Sequence, residues 1–208
     1  TWAWRMNDTL SGGGPLVFDD GYHKFSVIVD MFGEVEKVNA WIDTTAVIPG
    51  LYQDCPSIIM WKHKAGKQYG VLDIVDSRDM YIQSKYYCCD ERMEITGSRG
   101  VIWITRCTAT MMPEVAPVLM YKDGKLTEYR DMPADWADSF INSTHDFIDA
   151  LKNDREPILS GARGREVLKF SLAAMDSAKQ GKEIYLDEYE DKKLQKRKGF
   201  FGAFGKHW

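Results

Sequence analysis

Residues 12–23 read GGGPLVFDDGYH, and this stretch organises the interpretation of the whole chain. Its three glycines permit backbone conformations that other residues avoid, and they let another molecule approach the main chain closely. Pro15 then stiffens the exit of this glycine turn. An apolar periodic run from Tyr22 to Phe32 predicts a helix. Asp19 and His23 are four residues apart at its start, so we expect a carboxylate and an imidazole on one helix face.

Two interpretations of this stretch are open from spacing alone. The start of a helix supplies unpaired N–H groups and the positive end of the helix dipole, which suits a reaction site with a carboxylate and an imidazole. However, glycine-rich turns commonly precede helices, an aspartate in a first helical turn is an ordinary capping choice, and a single histidine can simply pack.

The same residues resemble the second domain of the Gfo/Idh/MocA oxidoreductases, the family of glucose-fructose oxidoreductase and inositol dehydrogenase. That domain typically begins with three glycines followed by Asp-x-Gly-x-His at the start of a helix, which matches residues 12–14 and 19–23. Residues 91–100, ERMEITGSRG, resemble the family's hairpin, and residues 157–178 resemble its closing helix. The resemblance covers roughly residues 2–187.

The chain differs from the family pattern at three points. One additional residue lies between the glycines and Asp19. Ser26 stands where many members carry a second aspartate, and Asp20 and Lys24 place charges where the family is usually apolar or small. The resemblance therefore implies the chemistry and leaves the substrate open.

The family implies hydride transfer between a nicotinamide cofactor and a hydroxyl-bearing carbon of a sugar, cyclitol or derivative. On this resemblance His23 is expected to take the hydroxyl proton, and Asp19 to position the hydroxyl or the imidazole. Trp4, Arg5 and Lys24 are the expected substrate contacts. For Trp4 and Arg5, core packing and a surface ion pair are the alternative.

The resemblance also implies NAD or NADP as cofactor and no metal. Gly12, Gly13 and Gly14 are expected to close against the nicotinamide. No Gly-x-Gly-x-x-Gly follows a predicted strand in this sequence, so we expect an N-terminal Rossmann domain, absent from this chain, to bind most of the cofactor. The chain by itself is then expected to be inactive.

Composition excludes several classes of function. The 208 residues are 44% apolar and 12% aromatic, enough for a substantial core, and the net charge of −4 is spread over many interspersed charges, which argues against nucleic-acid binding. No apolar run approaches about 20 residues, so no membrane span is predicted. Cysteines at 55, 88, 89 and 107 lack zinc-ligand spacing and fit reduced thiols in a cytoplasmic protein.

The pattern of elements predicts an α+β domain over residues 1–188, with a C-terminal extension over 189–208. A run of strands joined by hairpins follows an early helix and precedes two late helices, at about 134–152 and 164–180, whose apolar stripes are expected to cover a sheet. The strands are expected to include 34–47 and 85–89, with a loop at 54–56 and a hairpin across Asp123 and Gly124. The family implies one large, mainly antiparallel sheet with helices on one face. Its other face is expected to join subunits into a homodimer or tetramer.

A non-enzymatic function is the alternative. The chain would then be a non-catalytic sheet domain for dimerisation or carbohydrate binding. A nucleotide-binding motif upstream of Thr1 would favour the enzyme. His63, which stands between lysines, is expected to face solvent and is given no role.

Overall fold

The computed structural model divides the chain into two compact units, unit 1 (Thr1–Asp76 and Ser160–Trp208) and unit 2 (Ser77–Leu159). The residues that the structure describes are 2–77, 79–86, 91–107 and 111–189. In chain order, the elements are a 3-10 helix (Trp2–Met6), α1 (Asp8–Ser11), a π-helical segment (Pro15–Asp20), α2 (Gly21–Phe32), β1 (Val35–Ile42), β2 (Thr45–Ile48), β3 (Leu51–Gln53), β4 (Ser57–His63), β5 (Tyr69–Ile74), β6 (Met93–Gly97), β7 (Gly100–Ile104), β8 (Val118–Lys122), β9 (Lys125–Tyr129), α3 (Trp136–Lys152), α4 (Gly161–Gln180), β10 (Ile184–Tyr185) and a 3-10 helix (Leu186–Glu188).

Unit 1 is built on an antiparallel sheet with strand order β10-β1-β4-β5, and a separate ribbon of β2 and β3. Side chains alternate between the two faces of a strand, so β4 buries Ile59 and Trp61 and exposes Ile58 and Met60. The buried face carries α4 and α2. The core between these layers contains Val17, Phe25, Val38, Ala40, Ile59, Trp61, Val167, Phe170, Ala173 and Ala174.

Helix α4 is the main covering of this sheet. Its cap Ser160 accepts a hydrogen bond from the Arg163 amide, and Gly181 ends it in the left-handed conformation that favours glycine. Phe170, fully buried, stacks on Phe25 with ring centroids 4.4 Å apart. Burying a side chain of this size contributes about 1.5–3 kcal/mol. The predicted helix is confirmed and begins three residues earlier, at Gly161.

Unit 2 contains the antiparallel sheet β6-β7-β8-β9 and helix α3. The predicted hairpin across Asp123 and Gly124 is confirmed, and both residues have the positive φ that a tight hairpin turn requires. Helix α3 is also confirmed, but its apolar stripe is exposed: Phe140, Phe147 and Leu151 are 55%, 54% and 68% accessible. The expectation that this stripe covers a sheet is therefore wrong.

The structure confirms the α+β class and the antiparallel pairing of strands. It distributes the described strands over two four-stranded sheets and a ribbon. The strand predicted over residues 34–47 is interrupted at residues 43–44. Of the strand predicted over 85–89, residues 85–86 form no strand and 87–89 lie outside the described residues, as do residues 190–208 of the extension.

The solvent-facing position predicted for His63 is wrong. This residue is 2% exposed, because the alternation of β4 places it on the same inner face as Trp61. The Trp61 indole N–H donates to His63 Nε2 over 3.0 Å, so Nδ1 carries the proton and donates to the Gly33 carbonyl, also over 3.0 Å. His63 is thus a hydrogen-bonded core residue.

Candidate functional site

The glycine turn leads into a π-helical segment, Pro15–Asp20, which joins directly to α2. The Asp19 amide donates to the Gly14 carbonyl over 3.3 Å, and the Gly21 amide donates to the Leu16 carbonyl. Both bonds span five residues rather than the four of an α-helix, so each turn contains one residue more. Asp19 therefore lies in the π-helical segment, and His23 lies in the first turn of α2.

Asp54 holds the start of this segment. Its Oδ1 accepts a hydrogen bond from the Leu16 amide over 2.8 Å, and its Oδ2 accepts one from the Val17 amide over 2.6 Å. Charge-assisted bonds of this kind are roughly twice as strong as neutral ones. The sequence predicts only a loop over residues 54–56, because the partners of Asp54 are 37 and 38 residues away.

Side chains of Phe18 and Asp54 fill the space beside Gly13 and Gly14. A Cβ on Gly13 would lie 2.5 Å from the Phe18 ring, and one on Gly14 would lie 3.0 Å from the Asp54 carboxyl carbon. Gly14 also has φ 117° and ψ 163°, a conformation that is essentially restricted to glycine. Gly13 and Gly14 are buried, whereas Gly12 is half-buried with φ 94°.

Four of the predicted site residues and their neighbours form two ion pairs, and the predicted catalytic histidine is exposed. The Arg5 guanidinium pairs with Asp19, and the Lys24 ammonium pairs with Asp20, which is four residues earlier. The side chains of both pairs are a fifth to about a third accessible. The side chain of His23 is exposed, and its carbonyl accepts a hydrogen bond from the Ser26 hydroxyl over 2.7 Å.

Trp4 is the third predicted substrate contact. It lies in the first 3-10 helix, next to Arg5, and is 54% exposed. The ion pair of Arg5 with Asp19 brings Arg5 into contact with one of the two predicted catalytic residues.

A cavity of about 530 Å³ borders the glycine turn at Gly13. Among the described residues, Gly13 and Asp54 line it, and none of the predicted catalytic or substrate contacts does. Its remaining wall comes from Met6, Asn7, Thr9, Ile42, Thr44, Gly50, Tyr52, Gln53, Met175, Ala178 and Lys179.

The described residues contain neither a candidate metal-binding cluster nor a helix suited to span a membrane. No group of three or more His, Cys, Asp or Glu side chains in the described part of the chain is arranged to hold a metal ion. None of the helices within these ranges combines the length and apolar character that a bilayer crossing requires.

Comparison with protein families gives one match, to the profile described as "Oxidoreductase family, C-terminal alpha/beta domain", over residues 1–186. No curated protein matches the sequence. The match to the family profile extends over both units and covers all the predicted site residues.

Solved structures of low sequence identity share the fold. A NAD binding oxidoreductase from Klebsiella pneumoniae superposes with a TM-score of 0.71 at 16% identity, over 91% of this chain and 54% of that one. An aldose-aldose oxidoreductase from Caulobacter crescentus, complexed with glycerol, gives 0.63 at 20% identity, over 88% and 50%. A levoglucosan dehydrogenase in complex with NADH and levoglucosan gives 0.64 at 18% identity, over 88% and 53%. The chain spans about half the length of these proteins.

Proposed function

Because the chain belongs to the Gfo/Idh/MocA oxidoreductase family through its C-terminal alpha/beta domain, we propose that it is the substrate-binding and catalytic half of a nicotinamide-dependent oxidoreductase. The proposed substrate is a sugar, a cyclitol or a derivative, oxidised or reduced at one hydroxyl-bearing carbon. The folds shared with an aldose-aldose oxidoreductase and a levoglucosan dehydrogenase support this substrate class.

The position of His23 is the observation that carries the proposal. Its imidazole is exposed at the start of α2, where a substrate can reach it, and Asp19, which pairs with Arg5, stands four residues earlier in the chain. Where the π-helical segment joins α2, a separation of four residues brings Asp20 and Lys24 into contact. The same step supports the proposal that Asp19 and His23 share one face.

In the proposed mechanism a bound nicotinamide supplies the hydride chemistry, and the residues of this chain handle the proton. His23 takes the proton of the reacting hydroxyl during oxidation and returns it during reduction, a role that imidazole fills near neutral pH. Asp19, paired with Arg5, accepts a hydrogen bond from the substrate hydroxyl or the imidazole and so orients it.

The substrate contacts proposed are Trp4, Arg5 and Lys24. The exposed Trp4 ring offers an apolar face to the carbon–hydrogen side of a sugar ring. Arg5 and Lys24 are paired with carboxylates but partly accessible, so each can donate to a substrate hydroxyl without leaving its partner.

The residues of this chain fit only the edge of a cofactor site. The space beside Gly13 and Gly14 is filled by Phe18 and Asp54, so the closest approach to the backbone is offered by Gly12, which is half-buried. We therefore assign the contacts of residues 12–14 with the nicotinamide chiefly to Gly12. The rest of NAD or NADP is proposed to bind an N-terminal Rossmann domain of the same protein.

Self-association through unit 1 is a further part of the proposal. The sheet face opposite α4 exposes Trp41, Tyr69 and Val71, which are 59%, 71% and 62% accessible, together with Ile58 and Met60. Apolar side chains on adjacent strands make one continuous patch, and such patches mark interaction sites. A second copy of the chain is the proposed partner, in a homodimer or tetramer.

The test of the catalytic role is His23→Asn in the intact protein. Asparagine keeps a polar side chain but cannot exchange a proton, so turnover should fall at least about a hundredfold, the usual scale of general acid–base catalysis. Turnover is followed by the absorbance of the reduced nicotinamide, with NAD and NADP tested against a panel of sugars and cyclitols.

His145→Asn is the matched control, because that histidine is also exposed on a helix and lies in unit 2. It should leave turnover unchanged. Near-normal turnover in the His23 variant would remove this residue from the mechanism.

A further inference from the structure

We infer that Asp54 is a positioning residue for the His23 site, because its carboxylate fixes the backbone from which Asp19 and His23 project. The inference rests on the proposed function. The Asp54 carboxylate accepts hydrogen bonds from the main-chain amides of Leu16 and Val17, and the proposed effect passes through this stretch of backbone.

The carboxylate of Asp54 completes the start of the π-helical segment. Pro15 is the first residue of that segment and has no N–H, so the first two donors are the amides of Leu16 and Val17. Each donates to a different oxygen of Asp54, over 2.8 and 2.6 Å. Both oxygens are thus occupied by one short stretch of backbone.

Asp54 is itself held in place. The residue is only 9% exposed, and the Ser57 hydroxyl donates to its carbonyl over 2.5 Å. On the other side Gly14 allows close contact, since a Cβ there would meet all three carboxyl atoms at 3.0–3.2 Å. A buried carboxylate fixed in this way orients the backbone that it binds.

Two residues that Asp54 contacts, Gly14 and Leu16, also accept hydrogen bonds from the backbone around the predicted catalytic residues. The Asp19 amide donates to the carbonyl of Gly14, and the Gly21 amide donates to the carbonyl of Leu16. A shift of the backbone that Asp54 holds therefore moves the backbone of Asp19 and that of Gly21. Gly21 is the first residue of α2, the helix that contains His23. A displacement of about 1 Å can cost a hundredfold in rate.

The test is Asp54→Asn in the intact protein. Asparagine replaces one acceptor oxygen with an NH₂ donor that faces a backbone N–H, so one of the two bonds is lost. Amide hydrogen exchange at Leu16 and Val17 should accelerate at least about tenfold. The NMR signals of the His23 imidazole should shift. Turnover should fall about ten- to a hundredfold, with the KM for the nicotinamide changed less than about twofold.

Two further variants keep the result interpretable. Asp43→Asn removes the same charge from an exposed residue of the same unit and should leave amide exchange and turnover unchanged. Asp54→Glu keeps the carboxylate but lengthens its arm by one methylene, so it should show the same changes to a smaller extent. It replaces Asp54→Asn as the decisive variant if the asparagine protein does not fold.

Wild-type turnover in the decisive variant would overturn the inference, and so would reduced turnover with unchanged exchange at Leu16 and Val17. The failure of the proposed function gives a different pattern. In that case His23→Asn itself retains turnover, whereas an inactive His23→Asn beside a fully active Asp54 variant refutes only the positioning role.

Discussion

The buried hydrogen bond between Trp61 and His63 gives the sharpest prediction about stability. His63→Leu replaces an imidazole with an apolar side chain of similar size, so the main change is the loss of hydrogen-bonding groups. The Trp61 indole, which belongs to a residue only 6% exposed, then loses its acceptor. The substitution should therefore destabilise unit 1.

The magnitude follows from the two partners of His63. An unpaired buried donor costs about 1–3 kcal/mol, and this applies to the Trp61 N–H. Gly33 is an exposed residue, so water can replace His63 at its carbonyl, and that bond adds little. We expect a loss of about 2 kcal/mol in the free energy of opening of strand β4.

Native-state hydrogen exchange of the β4 amides in the intact protein measures this free energy, because it reports on one region rather than on global unfolding. A double-mutant cycle with Trp61→Phe, which lacks the N–H, isolates the hydrogen bond and should give a coupling energy of about 1–2 kcal/mol. The exposed His145 is the control, and His145→Leu should change the free energy of opening of β4 by no more than about 0.5 kcal/mol. Zero coupling in the cycle would refute the assignment of this bond.

Two further predictions concern the sheet face and the charges of unit 2. Val71→Arg places a charge on the edge strand β5, beside Met60 in the exposed apolar face of unit 1. It should lower the mass measured by light scattering from an oligomer towards a monomer, whereas an unchanged mass would place the interface elsewhere. The Asp146 carboxylate accepts hydrogen bonds chiefly from the Arg155 guanidinium and also from the Ile158 amide, and both lower its pKa. Its contribution to the free energy of unfolding is therefore present above the ordinary carboxyl range and is lost as the pH falls through the lowered pKa. NMR titration of the Asp146 carboxyl should show this low midpoint, and Arg155→Met should raise it.

Elements with local signals could be predicted from the sequence. The turn at Asp123 and Gly124 requires positive φ, and Gly181 ends α4 for the same reason, so a few neighbouring residues determine both features. The amphipathic pattern of α3 was equally clear. The pattern determines that a helix forms but not which surface packs against its apolar stripe. The expectation that this stripe covers a sheet was therefore wrong.

The position of His63 follows from the strand period and not from the character of its sequence neighbours. Ser57, Ile59, Trp61 and His63 alternate along β4, and this period of two places all four on the buried face. The neighbouring Lys62 and Lys64 suggested exposure, but residues adjacent in a strand point to opposite faces. The alternation therefore predicts burial of His63, whatever its neighbours are.

Asp54 could not have been assigned from the sequence, because its partners are distant in the chain and are backbone groups. Main-chain N–H groups at positions 16 and 17 carry no sequence signature of their own. The sequence predicts conformational freedom at Gly14, but the second role of this glycine, leaving space for a carboxylate, depends on a contact 40 residues away. Such long-range contacts appear only when the chain is folded.

The resemblance places one additional residue before Asp19, and the same geometry can accommodate it. A helix that gains one residue in its first turn would rotate everything after it by about 100°, unless the extra residue is taken up locally. The bonds from Asp19 to Gly14 and from Gly21 to Leu16 take it up, since each closes a turn that is one residue longer than an α-helical turn. The α-helical pattern then resumes at Gly21, two residues before His23. The departure from the family pattern is therefore compatible with an unchanged orientation of α2, and Asp54 holds the turn at the point where the insertion is absorbed.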